Sequence, residues 1–309
     1  MIIRPCSFCP RQPYPSARPI RHPVLSVKCH QSGVRLMLFW RKNTAKHCLK
    51  LLNTDVVAWN EWRATKDVSG VSFTNSQLPG KDLAWCNLAE LDFSSADLSR
   101  ADLRGADLHF CNLAGANFQD TDLRGANLKG SLLVGANLTR AQLQGADFKR
   151  ADLNQASLRN ANLGWASLRE AYCSYADFSE AVLEWADLQS ANLSNATFYR
   201  TQLTDANLTG VNLAHANFNF ASLENTNFNG AIVYDTILAA IDLCGALNLT
   251  SIVHEPPSTL SIGTDTLVST LRSAGGRFTQ EQQTFFERSG IAQEVLDSTR
   301  LVATPAAAR

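Results

Sequence analysis

The chain has 309 residues, 28 basic and 28 acidic, so its formal net charge is zero. Hydrophobic residues make up 45% and charged ones 18%, which excludes a chain too polar to bury a core. No apolar run approaches the roughly 20 residues a membrane helix needs, so no membrane span is expected. The zero is a cancellation. Residues 1–67 carry 12 Lys/Arg and 3 Asp/Glu, residues 68–247 carry 11 and 19, and residues 248–309 carry 5 and 6.

Residues 1–43 form a basic, Pro-rich leader without hydrophobic periodicity. Residues 1–36 hold six Pro, six Lys/Arg and no acid. Three readings stay open: a disordered basic arm, an organellar targeting peptide whose prolines oppose the usual amphipathic helix, or a segment outside the native product. The last is favoured, because the only methionines are Met1 and Met37, and Met37 lies just before the first expected helix. A start at Met37 would leave a net charge of −6. Cys6-x-x-Cys9, with His22, Cys29, His30, His47 and Cys48 nearby, matches no common zinc spacing, so no metal is expected.

Residues 44–67 read as an amphipathic helix. Leu49, Leu52, Val56, Trp59 and Trp62 fall three or four apart, and Thr44 can cap the start. This helix is expected to lie as a lid on the central region of the chain.

From Phe73 to Leu243 every fifth residue is apolar: 25 Leu, 8 Phe, Cys173 and Val233, at 35 positions without an insertion. Two residues before each stands a small residue, Ala at 22 of the 35 and Ser, Thr or Cys at 8 more. Asp and Asn, 11 each, dominate the position between. A period of five fits neither a helix nor a long strand. Within a unit the small residue and the Leu, two apart, face one way and the Asp/Asn the other. The chain must then turn and repeat.

This Ala-(Asp/Asn)-Leu-x-x pattern over residues 71–245 resembles the pentapeptide repeat family. The resemblance implies an all-β solenoid: a right-handed, four-sided parallel β-helix of about nine coils over residues 68–247. At about 4.8 Å per coil it would be roughly 40 Å long. Residues 20 apart should then stack. One column is all Leu: Leu83, Leu103, Leu123, Leu143, Leu163, Leu183, Leu203, Leu223 and Leu243. Its neighbour carries Phe118, Phe178, Phe198 and Phe218. Residues 51–63 look like the leader that precedes such coils in many bacterial members.

Residues 248–309 read as a C-terminal cap or tail. Ile232, Ile237 and Ile241 break the pattern and need covering. A helix capped by Thr264 or Asp265 should end before Gly275-Gly276, and Thr279 with Gln282 resembles a capping box for a second, ending near Gly290. The segments 254–262 and 286–291 look like a tail found after pentapeptide coils in bacterial multidomain proteins.

Chemistry is hard to find. Cys86, Cys111 and Cys173 sit at inward positions and read as core spacers. The column Asp82, Asp102, Asp122 is a product of the repeat, offset by Arg104 and Arg124. His109 and His215 are far apart along the repeat, and no catalytic grouping, cofactor fingerprint or small-molecule site is evident. Scattered cysteines and no clear signal peptide suggest the cytoplasm. The candidate partner-binding residues are Trp165 and Trp185, expected to stack on one exposed edge, with Tyr172 and Tyr175 one to two sides away and Trp85 earlier on the same corner column. The function expected is a non-enzymatic scaffold for a protein partner or for self-association. A second reading, implied by the resemblance, is a DNA-mimicking binder of a type II topoisomerase. Against it stand the modest net −8 of residues 68–247 and their interleaved arginines. A third is a remnant adaptor of a bacterial signalling system.

Overall fold

The structure, a computed structural model, describes residues 47–52, 54–65, 71–254, 260–275 and 277–303. The expectations for residues 1–43, for Thr44 and for the cysteines and histidines of that leader lie outside these residues.

Residues 71–247 obey one rule. The middle residues of the units bridge in parallel at a step of 20, from Ser72↔Asp92 to Asn227↔Leu247, until Ile232 and Ile237, which pair onward with Val253 and Ser261 at steps of 21 and 24. Asp102 is typical: its N–H donates to Lys81 O at 2.8 Å, and its carbonyl accepts from Leu83 N at 2.7 Å. The chain therefore returns to register every four units, building layer on layer. Each unit gives its neighbours only one bridging residue, because two of its five residues are needed for a turn.

The turns fix the corners. Ala106 N donates to Leu103 O at 3.0 Å, closing a four-residue turn, and Gly105 within it has φ +61°. Every corner residue whose number ends in 5 or 0, from Asn75 to Ala240, has φ between 48° and 66°. For a non-Gly residue this left-handed conformation costs on the order of 1 kcal/mol. Burial of each Leu or Phe at about 1.5–3 kcal/mol outweighs it.

The Asp/Asn preference has two causes. The side-chain oxygen accepts the N–H two residues on, bracing the turn, as Asp97 does for Ser99 N at 3.0 Å. The amide form can also donate to the layer before: Asn117 Nδ2 reaches Asp97 Oδ1 at 3.1 Å and Asn127 Nδ2 reaches Asp107 Oδ1 at 2.8 Å. Where the small inward residue is Thr, its hydroxyl donates to a carbonyl of the neighbouring layer, as Thr121 does to Leu98 O and Thr201 to Phe178 O. A buried polar atom is thereby satisfied.

The predicted columns form the core. Each member of the Leu column is at most 1% exposed. Phe198 stacks between Phe178 and Phe218, with ring centroids 5.1 and 4.6 Å away, and Phe118 is fully buried in the same column.

The segment before the repeat departs from the single helix expected. Residues 47–52 are helical, and a separate helix α1 spans Val56–Thr65. Between them Asp55 Oδ1 accepts from Val57 N and Ala58 N, at 2.9 and 3.0 Å, and so starts the second helix. Three side chains of α1 meet bare backbone of the first layer. Trp59 Nε1 donates to Asn87 O, Asn60 accepts from Asn87 N and donates to Trp85 O, and Arg63 donates to Ala89 O.

At the other end the strands β1 (Ile232–Val233) and β2 (Ile237–Leu238) pair in parallel with β3 (Val253–His254) and β4 (Ser261–Ile262). Ile232 and Ile237 lie in these added pairs. Helix α2 (Thr264–Ser273) covers the next side with hydroxyls. Thr266 Oγ1 donates to Leu238 O and accepts from Ile241 N, Ser269 Oγ donates to Ile241 O, and Thr270 Oγ1 accepts from Leu243 N. The N-cap of α2 is Gly263, not Thr264 or Asp265, which lie inside the first turn. Both ends of the Thr279–Gln282 capping box are made, at the start of α3 (Gln280–Arg288). Helix α4 (Gln293–Ala303) comes last.

Replacing Phe198 removes the middle of a three-ring stack. We expect Phe198→Ala to cost about 3–5 kcal/mol in chemical denaturation. Phe110→Ala, at an exposed corner, should stay within about 0.5 kcal/mol of the parent.

Candidate interaction surface

Each step of 20 residues carries four bridging residues, each followed by a left-handed corner. The largest exposed aromatics sit on corners: Trp85 is 73% exposed, Trp165 67%, Tyr175 63% and Trp185 55%. A corner side chain leans over the next layer. The Trp85 ring lies over Gly105, where a Cβ would stand 2.4 Å from it, and Phe110 lies over Gly130 in the same way. Glycine at these two positions leaves room for the ring above and holds the left-handed corner without the cost a side chain bears.

Trp165 and Trp185 share a column one layer apart, but among the described residues they make no ring contact of the kind that joins Phe178 to Phe198. Tyr175 stands ten residues, half a layer, beyond Trp165, so it occupies the opposite corner; Tyr172 lies on the side leading to it. The register does not bring the tyrosines together with the tryptophan pair. Trp85 shares the tryptophans' column but lies four layers from Trp165.

Another aromatic group escapes a reading based on tryptophan alone. Arg200 sits over the rings of Tyr199 and Phe220, at 5.2 and 5.9 Å from their centroids. Phe220 is 53% exposed. Arg200 and Phe220 are 20 apart on one corner column, and that spacing was the signal available.

Ion pairs neutralise much of the acidic charge locally. Eight of the eleven Lys/Arg in residues 68–247 pair with acids of the repeat, among them Arg140 with Asp120, Arg150 with Glu170 and Arg169 with Asp187. Arg104 bonds Asp102 and approaches Asp122 to 3.7 Å, which answers the repulsion within that carboxylate column. The hydrogen bond from Arg104 holds the Asp102 carboxyl below its ordinary value, Arg124 does the same for Asp122, Arg140 for Asp120 and Arg150 for Glu170. At Asp177 burial works the other way, but Ser179 and Arg159 outweigh it and the shift is again downward.

The cysteines are placed for packing. Burial pushes the thiols of Cys86 and Cys111 up to about 12 and raises that of Cys173 as well. Cys111 Sγ donates to Leu88 O at 2.9 Å. Such thiols stay protonated and are poor nucleophiles or metal ligands. Among the described residues no group of three or more His, Cys, Asp or Glu could hold a metal ion, and no helix is long and apolar enough to cross a membrane.

The sequence matches the family described as pentapeptide repeats, in eight copies, over residues 69–105, 101–140 and 201–239. A pentapeptide repeat region matches residues 141–218. Curated proteins gave no match. Among solved structures, HetL, a pentapeptide repeat protein involved in heterocyst differentiation regulation from the cyanobacterium Nostoc sp. strain PCC 7120, is 28% identical. That alignment has a TM-score of 0.55 and covers 63% of this chain and 91% of HetL. Rfr23, from the cyanobacterium Cyanothece 51142, is 33% identical over 31% of this chain and 58% of its own, with a TM-score of 0.18. A trypsin-treated variant of QnrB1, a plasmid-mediated fluoroquinolone resistance protein, is 19% identical over 60% of this chain and 87% of its own, with a TM-score of 0.37.

The depressed carboxylates make a pH prediction. Each is more acidic folded than unfolded, so its contribution is complete above the ordinary value, 3.8 for aspartate and 4.5 for glutamate, and is lost as pH falls through the lower folded values. Thermal melting followed by circular dichroism should decline below about pH 4, after a smaller loss that begins below the ordinary histidine value of 6.5, where burial of His254 disfavours its protonated form. The thiols make another. Alkylation followed by peptide mapping should leave Cys86, Cys111 and Cys173 unmodified in the native protein and modify all three after denaturation.

Proposed function

The chain belongs to the pentapeptide repeat family, and from that premise we propose that it is a non-enzymatic scaffold whose sides bind a protein partner or a second copy. The architecture we propose is the family's right-handed β-helix, here with about nine coils. Helix α1 would cap the first coil and the C-terminal segments the last. Supporting the first cap, Trp59, Asn60 and Arg63 bond Asn87 O, Asn87 N and Ala89 O, the kinds of group that in later layers pair with the layer before. Supporting the second, Ser269 and Thr270 bond Ile241 O and Leu243 N, the kinds of group that elsewhere pair with the layer after.

The observation that carries the functional reading is the exposure of Trp165 and Trp185 in one column, at 67% and 55%. Large exposed aromatics concentrate binding energy when a partner desolvates them. Raised thiol values and carboxylates engaged with arginines support the non-enzymatic part. HetL's role in a regulatory process fits a protein that acts by contact, and a cytoplasmic setting fits a chain whose buried cysteines stay reduced.

DNA mimicry is the weaker reading. Duplex DNA carries one charge per about 1.7 Å of axis. Here the pairing of eight cations with acids of the repeat leaves no comparable line of bare charge.

We expect Trp165→Ala with Trp185→Ala to change the oligomeric state or abolish co-purification of the native partner, with the melting temperature unchanged. An unchanged oligomer and an unchanged set of partners would sink the proposal. A gyrase supercoiling assay should show no inhibition at micromolar excess.

A further inference from the structure

The side that ends at the tryptophan corner is unlike the others over its C-terminal half. The units 161–165, 181–185, 201–205, 221–225 and 241–245 stack there, and they contain Glu184, Asp205, Glu224 and Asp242 but no Lys or Arg. In the earlier layers of the same side Asp102 and Asp122 are paired with Arg104 and Arg124. Glu184, Asp205 and Glu224 form no ion pair among the described residues, and Asp242 is bound by Ser273 Oγ at 2.5 Å. Aromatic rings stand on both rims of the panel. Trp165 and Trp185 occupy one corner column and Phe220 the other. The one cation on a rim, Arg200, turns onto Tyr199 and Phe220 rather than bridging Glu180, although Arg140 bridges Asp120 across the same step. At the end of the panel a cleft of about 420 Å³ opens against helix α2, lined by Ser222, Glu224, Asp242, Cys244, Gly245 and Ser273 among others.

Resting on the proposed interaction surface, we infer that this panel receives an extended, arginine- or lysine-bearing segment of a partner polypeptide. Charge complementarity selects the occupant: four carboxylates with no balancing cation attract a basic chain and repel a nucleic acid. The rims add a second attraction, since a guanidinium or ammonium over an indole face is favourable, and Trp is the best ring for it. The partner cannot bind as an added strand. The backbone groups of Val182 and Gln202 on this side are already spent between layers, Val182 N on Ala161 O and Gln202 N on Ala181 O, so side chains must recognise it. The acids are spread over layers rather than converging on a point, which suits a chain and not a metal ion. The four layer steps from Trp165 to Gly245 span roughly 19 Å, about six residues of extended polypeptide. The cleft would then take one basic side chain beside Glu224 and Asp242.

The test uses the full chain and fluorescence anisotropy with a labelled peptide of six Arg-Pro repeats, extended by its prolines. A Glu-Pro peptide is the control. The Arg-Pro peptide should bind and the control should not. Glu184→Gln with Glu224→Gln should weaken binding at least tenfold, and so should Trp165→Ala with Trp185→Ala. Phe110→Ala, an exposed aromatic on another corner column, should leave it unchanged. All these residues are on the surface, so matched melting temperatures confirm that each variant is folded. No binding of the Arg-Pro peptide, or equal binding by the Glu184→Gln/Glu224→Gln variant, overturns the assignment. Should the double tryptophan variant lose self-association or its native partner while the Arg-Pro peptide does not bind the parent, the interaction surface stands and its cationic ligand falls.

Discussion

Everything in this protein depends on a single-residue bridge repeated at a step of 20. One extended residue per unit pairs with the layers before and after, and nothing longer than that joins the layers through most of the repeat. Isolated, such a bridge would be negligible. It persists because the turn beside it is held by a left-handed corner residue, by the Asp or Asn side chain, and by a Leu or Phe that has no other place to go. The periodic core and the periodic backbone support each other, and neither would be stable alone.

That arrangement explains what the surface can do. Stacked corners offer columns in which a side chain's neighbours are set by residues 20 away, not by the adjacent ones. A carboxylate column needs an arginine, as at Asp102, Arg104 and Asp122. A mixed Asp/Asn column satisfies itself. An aromatic needs a glycine in the next layer if its ring is to lie flat, as Trp85 does over Gly105. The panel beyond Trp165 breaks the charge rule, because its acids lack the cations that earlier layers supply. Uncompensated charge flanked by exposed rings is expensive for a solitary surface and useful for a bound one.

The ends show the same economy of backbone groups. Asn60 takes, and Trp59 and Arg63 give, hydrogen bonds that a missing layer would have made, and the Ser269 and Thr270 hydroxyls of α2 do so at the far end. The repeat thus stops where side chains stand in for backbone.

The sequence by itself determined the period, the Leu column, the aromatic column and the inward place of the cysteines. These depend on which residues recur, and a repeat of 35 units makes recurrence unmistakable. The capping box at Thr279 and Gln282 was legible too, being a local pattern. Only the tertiary structure decided how the aromatics group. Trp165 and Trp185 share a column yet make no ring contact, and Arg200 lies over two rings. It also decided where the first helix breaks, at Asp55, and that Gly263 rather than Thr264 starts α2. The reason is physical: the period specifies which positions meet, while rotamers, ring orientation and the choice between competing hydrogen-bond partners depend on neighbours that only folding brings together.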